Sequence, residues 1–121
     1  MSDISVVIPI NEINEVIEDY LNKCVQSIVN QTVKPDKVYI SHADTKELND
    51  FFKSWQKPTE LEINILVNKD KTDFCSQVNY CVDNIETEWF SVLEVDDEYS
   101  KNWFRNVKTY ITSYDDVDIF L

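Results

Sequence analysis

Short β-branched runs alternate along the chain with stretches in which apolar residues recur every three or four positions, and that alternation leaves few folds open. Ile4-Ser5-Val6-Val7-Ile8-Pro9-Ile10 lacks a polar face, as a strand covered on both sides of a parallel sheet requires. Pro9 is expected to mark its end. Ile13, Val16, Ile17, Tyr20, Leu21, Cys24, Val25 and Ile28 then share one helix face, with Glu12 and Glu15 near the start, where acids favour the helix dipole. Lys37 to Ser41 reads as a second strand after the Pro35-Asp36 turn. Asp44 or Thr45 caps a second helix presenting Leu48, Phe51, Phe52 and Trp55, which Lys57-Pro58 stops. Leu61 to Val67 is a third strand, and Phe74, Val78, Cys81, Val82 and Ile85 mark a third helix. Glu88 to Val95 is a fourth strand, Trp103 to Tyr114 a fourth helix, and Val117 to Leu121 the start of a fifth strand. The pattern predicts one α/β domain over residues 1–121, a mostly parallel sheet with helices on both faces.

The 121-residue chain has no glycine. Gly-rich phosphate loops, dinucleotide fingerprints and nucleophile elbows need a residue without Cβ, so none is present in its usual form. Left-handed turn positions are expected to fall to Asn and Asp. A formal net charge of −12, with Arg105 the single arginine, argues against a nucleic-acid partner, whose phosphates demand Lys and Arg. No apolar run approaches the ~18 residues of a membrane span, and Met1-Ser2-Asp3-Ile4 opens on a strand pattern instead of a basic leader. A cytoplasmic location is expected, without a transmembrane segment. Cys24, Cys75 and Cys81 sit in helical apolar patterns, where cysteine behaves as a small buried hydrophobe.

Glu94-Val95-Asp96-Asp97-Glu98 places four carboxylates in five residues where an apolar strand meets a polar turn. Burying part of such a cluster is costly unless a cation neutralises it. Oxygen-only ligands suit Mg2+ or Mn2+, which complete their shells with phosphates and water. If the strand runs through, Glu94 and Asp96 point the same way. The same acids also read as a solvated turn opening the fourth helix. In open parallel sheets ligands collect at the carboxyl ends of the strands: here Pro9 to Glu12, Ser41 to Asp44, Asn68 to Lys71 and Glu94 to Asp97. The strand ending in the acids is expected near the sheet centre. Lys69 and Lys71 lie on that rim as point charges for a phosphate or as solvated surface. Trp89 and Trp103 flank the acidic turn, and the other aromatics follow core periods.

Ser5-Val6-Val7-Ile8-Pro9-Ile10-Asn11-Glu12, then Leu21 through Cys24-Val25-Gln26-Ser27-Ile28-Val29-Asn30-Gln31-Thr32, then Val92-Leu93-Glu94-Val95-Asp96-Asp97 together resemble family 2 glycosyltransferases. That family has a strand ending in Pro-x-x-Asn-Glu, a helix ending in Ser-x-x-x-Gln-Thr, and an Asp-x-Asp-Asp metal motif after the fourth strand. The resemblance implies the Rossmann-like, nucleotide-sugar-binding half of a GT-A fold. It implies that Pro9, Ile10 and Glu12 border the nucleoside and that His42 or Asp44 stands where an acid contacts the base. Asn79 matches an asparagine of the third helix. Asp96, with Glu94 or Asp97, would hold Mn2+ or Mg2+ against the diphosphate. The family's Asp-Asp-Gly-Ser appears as Ser41-His42-Ala43-Asp44, and the first metal acid is Glu94.

The partners so implied are a nucleotide-diphosphate sugar donor and a glycan, protein or lipid acceptor. In the resembling family the general base follows the fifth strand, and this sequence ends within that strand, so no base is identified. A part of a longer enzyme is expected, with a natural minimal domain as the alternative. An unfinished edge near Val117 would invite association between copies. Two other classes stay open: a non-catalytic binding module on a GT-A scaffold, and a receiver-like signalling domain. The latter would need an acidic pair where the first strand ends in Asn11-Glu12, and a late strand-end lysine.

Overall fold

The structure, a computed structural model, describes residues 3–70 and 72–120; Lys71 and Leu121 lie outside the described residues. Its elements are β1 (Ile4–Ile10), α1 (Glu15–Val29), β2 (Lys37–Ala43), α2 (Lys46–Ser54), β3 (Ile63–Asn68), α3 (Phe74–Val82), β4 (Trp89–Val92) and α4 (Trp103–Ser113). The strands form one sheet in the order β3-β2-β1-β4, every pair parallel.

Side-chain alternation along β1 divides the core. Ile4, Val6, Ile8 and Ile10 pack with Leu21, Cys24, Val25 and Ile28 of α1, Leu48 of α2 and Phe104 of α4. Val7 points the other way, into a smaller cluster with Tyr39 and Cys81, flanked by Leu66, Val78 and Ile85. Three helices therefore cover one face and α3 covers the other. Right-handed crossovers require α1 and α2 on one face and α3 on the other. The chain steps from β1 to β2 to β3 in one direction, then passes back over β1 to reach β4, so its last crossover must use the opposite face.

Asn14, Thr45 and Asp73 cap α1, α2 and α3, their side-chain oxygens accepting N–H bonds from Ile17, Leu48 and Ser76 at 2.9, 3.2 and 3.0 Å. Of the two candidates for the second cap, Thr45 takes the position. The expected left-handed Asn and Asp positions do not occur: no described residue has positive φ. Asn30 and Asp83 stay right-handed helical at their helix ends, and Trp55 leaves α2 extended.

Five sequence expectations change. β4 ends at Val92, short of Val95, because Glu94 to Asp97 turns back on itself. β1 runs through Pro9 to Ile10; its pairing with β4 stops at Val7↔Val92, so the N–H that Pro9 lacks has no partner to miss on that side. β4 is the sheet edge, not its centre, with Phe90 and Val92 43% and 39% exposed. Residues 117–120 form no strand beside it; instead the Phe120 ring packs on Trp89, centroids 5.6 Å apart. The sheet edge on this side is thus β4 and not the segment near Val117. Cys75 is exposed while Cys24 and Cys81 are buried, since six residues of helix set Cys75 about 120° around from Cys81. Among the described residues, no helix is long and apolar enough to cross a membrane.

Phe104, fully buried under β1, is expected to cost ~3–5 kcal/mol on substitution by Ala. Ile119→Ala, at a site 73% exposed, is expected to change stability by less than ~0.5 kcal/mol. Urea denaturation of the two variants checks the contrast.

Candidate functional site

Because β1 outruns its pairing with β4, the chain parts at the carboxyl end of the sheet. The gap coincides with the reversal of strand order, the place where open α/β sheets bind ligands. It is a cleft of about 310 Å³. Pro9, Ile10, Asn11 and Glu12 from the end of β1 form one side, and Glu94, Val95 and Asp96 after β4 form the other. Ile17 and Tyr20 of α1 and Phe74 of α3 supply apolar walls. Since α1 and α3 lie on opposite faces of the sheet, Tyr20 and Phe74, each 42% exposed, flank the cleft from two directions.

The acids sit in a turn closed by the Asp97 N–H donating to the Glu94 carbonyl at 3.0 Å. Leu93 is buried and its N–H donates to the Val7 carbonyl at 2.9 Å, while Val95 packs against the main core. Apolar residues thus anchor the turn inward while acids point out. The carboxylates of Glu94, Asp96 and Asp97 are exposed, and one oxygen from each can lie within 4.8 Å of the others. A turn, rather than a shared strand face, gathers them, and it brings in Asp97 as well as Glu94 and Asp96. Three carboxylates with no nitrogen or sulfur donor among them fit a hard divalent ion such as Mg2+ or Mn2+. Beneath the turn, the Cys24 thiol approaches the Glu94 carbonyl at 4.0 Å. Burial, reinforced by the nearby negative charges of Asp97, Glu98 and Asp96, pushes that thiol up to about 12.

The other predicted residues fall elsewhere. His42 is 1% exposed, with Nδ1 2.8 Å from the Ala43 carbonyl and its ring stacked on Phe52 at 4.8 Å. It is therefore neither on the surface nor in the cleft. Asp44 is exposed and accepts a hydrogen bond from Asn49 at 2.8 Å. Asn79 is exposed on α3, its carbonyl taking the Asp83 N–H at 2.9 Å. None of the three lines the cleft, nor does Lys69. Trp89 and Trp103 line a separate, largely apolar groove of about 890 Å³ between β4, α4 and residues 118–120.

Sequence reasoning missed Ile17, Tyr20 and Phe74 as cleft residues by assigning them to helix cores. A signal was present in α1. Val16 and Tyr20, both exposed, lie roughly a quarter turn or more from the stripe of Leu21, Cys24, Val25 and Ile28, so the apolar arc is wider than packing alone requires.

The model of the family described as glycosyl transferase family 2 matches residues 5–120. The chain belongs to glycosyl transferase family 2. Among curated proteins, none matches. Among solved structures, TarS of S. aureus superposes with a TM-score of 0.73 at 16% identity, over 93% of this chain and 20% of TarS. TarS bound to UDP-GlcNAc gives 0.71 at 15% identity, over 93% of this chain and 32% of that one. TarS bound to UDP gives 0.69 at 14%, over 93% and 33%. The family 2 chain thus spans a third or less of these structures and shares their fold, the Rossmann-like half of a GT-A glycosyltransferase.

The thiols offer a check on this packing. Burial raises Cys24 and Cys81 each to about 12, so at pH 8 both stay protonated as well as covered. Iodoacetamide is expected to label Cys75 alone in the folded protein and all three cysteines in urea, read by peptide mass spectrometry.

Proposed function

We propose that the cleft binds a nucleotide-diphosphate sugar through Mn2+ or Mg2+ held by Glu94, Asp96 and Asp97, for transfer of the sugar to a glycan, protein or lipid acceptor. One observation carries the reading: among the described residues, three carboxylates converge at the mouth of a cleft whose lining holds no lysine or arginine. Such a surface repels a diphosphate unless a cation reverses the local sign. The family membership and the TarS structures solved with UDP and UDP-GlcNAc support a nucleotide-sugar donor.

Within this reading Pro9, Ile10 and Glu12 border the nucleoside, and Tyr20 and Phe74 shield it from water. His42, Asp44 and Asn79 lie outside the residues that line the cleft. Leu93 and Val95 hold the acidic turn against the core, so the carboxylates meet the ligand on a fixed backbone. When bound, the cation supplies electrostatic stabilisation of the departing nucleoside diphosphate. The free cysteines, one of them exposed, support a reducing, cytoplasmic setting for the reaction.

UDP and the other nucleoside diphosphates, screened by thermal shift with and without Mn2+, test this. At ~100 times Kd a ligand stabilises by about 2.7 kcal/mol, and that shift is expected only with metal and diphosphate together. Asp96→Asn is expected to abolish it. Stabilisation by a diphosphate that survives EDTA would overturn the proposal.

A further inference from the structure

The Ser-x-x-x-Gln-Thr segment at the end of α1 touches no part of the cleft, yet its side chains are almost wholly occupied with the chain that follows the acidic turn. Ser27 Oγ accepts the Tyr99 N–H at 3.1 Å while donating to the Cys24 carbonyl at 2.6 Å. Gln31, 3% exposed, donates from Nε2 to the Ser100 carbonyl at 2.6 Å and the Ser27 carbonyl at 3.1 Å. Its Oε1 accepts the Phe104 N–H at 3.1 Å. Thr32 adds a backbone N–H to the Lys101 carbonyl at 3.1 Å and a hydroxyl to Asn102 Oδ1 at 2.7 Å.

Residues 93–102 contain no helix or strand, so this stretch has no ladder of its own to hold it. Both Nε2 hydrogens and the Oε1 of Gln31 are used, three of the four hydrogen bonds that an amide side chain can make. The stretch is pinned upstream by Leu93 on Val7 and downstream by Gln31 on Ser100 and Phe104. Between those pins lie Glu94, Asp96 and Asp97. Carboxylates crowded within 4.8 Å repel one another, and only a fixed backbone keeps them gathered.

We propose that Gln31 is a positioning residue for the acidic turn, clamping the chain after it so that Glu94, Asp96 and Asp97 stay assembled for a cation. Its metal consequence rests on the function proposed above; its effect on the turn does not. Ser27 is the secondary clamp.

Gln31→Met keeps the volume and removes every side-chain bond, and Ser27→Ala removes only the Tyr99 tether and the cap on Cys24. Two measurements on the full chain apply: amide hydrogen exchange by NMR, and Mn2+ binding without nucleotide, both at a temperature where each variant is folded. In Gln31→Met the Asp97 amide, which Gln31 does not touch, is expected to exchange at least ~10-fold faster while the β1 and β2 amides keep their protection. The Mn2+ Kd is expected to rise ~10-fold or more, the usual effect of losing a group that orients metal ligands. Ser27→Ala is expected to change both in the same direction by less. A lowered melting temperature with unchanged Asp97 exchange and unchanged Mn2+ Kd would reduce Gln31 to a packing residue and overturn the inference. If Gln31→Met does not fold, Ser27→Ala decides alone, and wild-type exchange at Asp97 in that variant overturns it. If the wild-type chain binds no Mn2+, the metal reading fails and Asp97 exchange still decides whether Gln31 positions the turn.

Discussion

Handedness organises this molecule. Strands of L-residues twist one way, and a crossover between parallel strands packs back onto the sheet only with the right-handed sense. Once β2 and β3 are laid down on one side of β1, the connection to β4 has to run over the opposite face, which puts α3 alone with Val7, Tyr39 and Cys81. The chain ends on the two sides of that reversal diverge. Between them opens the space bounded by Pro9 to Glu12 and by Glu94 to Asp96. The cleft follows from topology before any side chain lines it.

Side chains then decide what the space accepts. The acids at its mouth alternate with Leu93 and Val95, which face inward. That two-residue period resembles the strand it continues, but the Asp97 to Glu94 hydrogen bond folds it into a turn. A strand would have sent Asp97 to the far side from Glu94 and Asp96; the turn gathers all of them. The turn gathers the same acids that the sequence resemblance singles out.

Much of this was legible from apolar periodicity. The β1 run and the Leu21, Cys24, Val25 and Ile28 stripe specify the central strand and its covering helix, because burial on two faces or one leaves a distinct pattern. Glu94, Asp96 and Asp97 were legible as a cluster because they are adjacent in sequence. Tyr20 and Phe74 were not, since an aromatic residue at helical spacing reads the same whether it fills a core or borders a cleft. His42 stood out as the lone histidine of a charged chain, yet its ring stacks on Phe52 beneath the surface. The expected fifth strand failed for another reason. Val117 to Phe120 has the composition of a strand, but Phe120 finds an aromatic partner in Trp89, and side-chain packing displaced backbone pairing.

The backbone described here never enters the left-handed region. Each of its bends is therefore built from conformations open to any residue that carries a Cβ. No position along that path is reserved for the smallest amino acid, so the steric veto that freezes many phosphate-binding loops is absent. Variation at the rim is filtered by charge, hydrogen bonding and fit alone, and the loops bordering the cleft are free to exchange side chains without the main chain having to be redrawn.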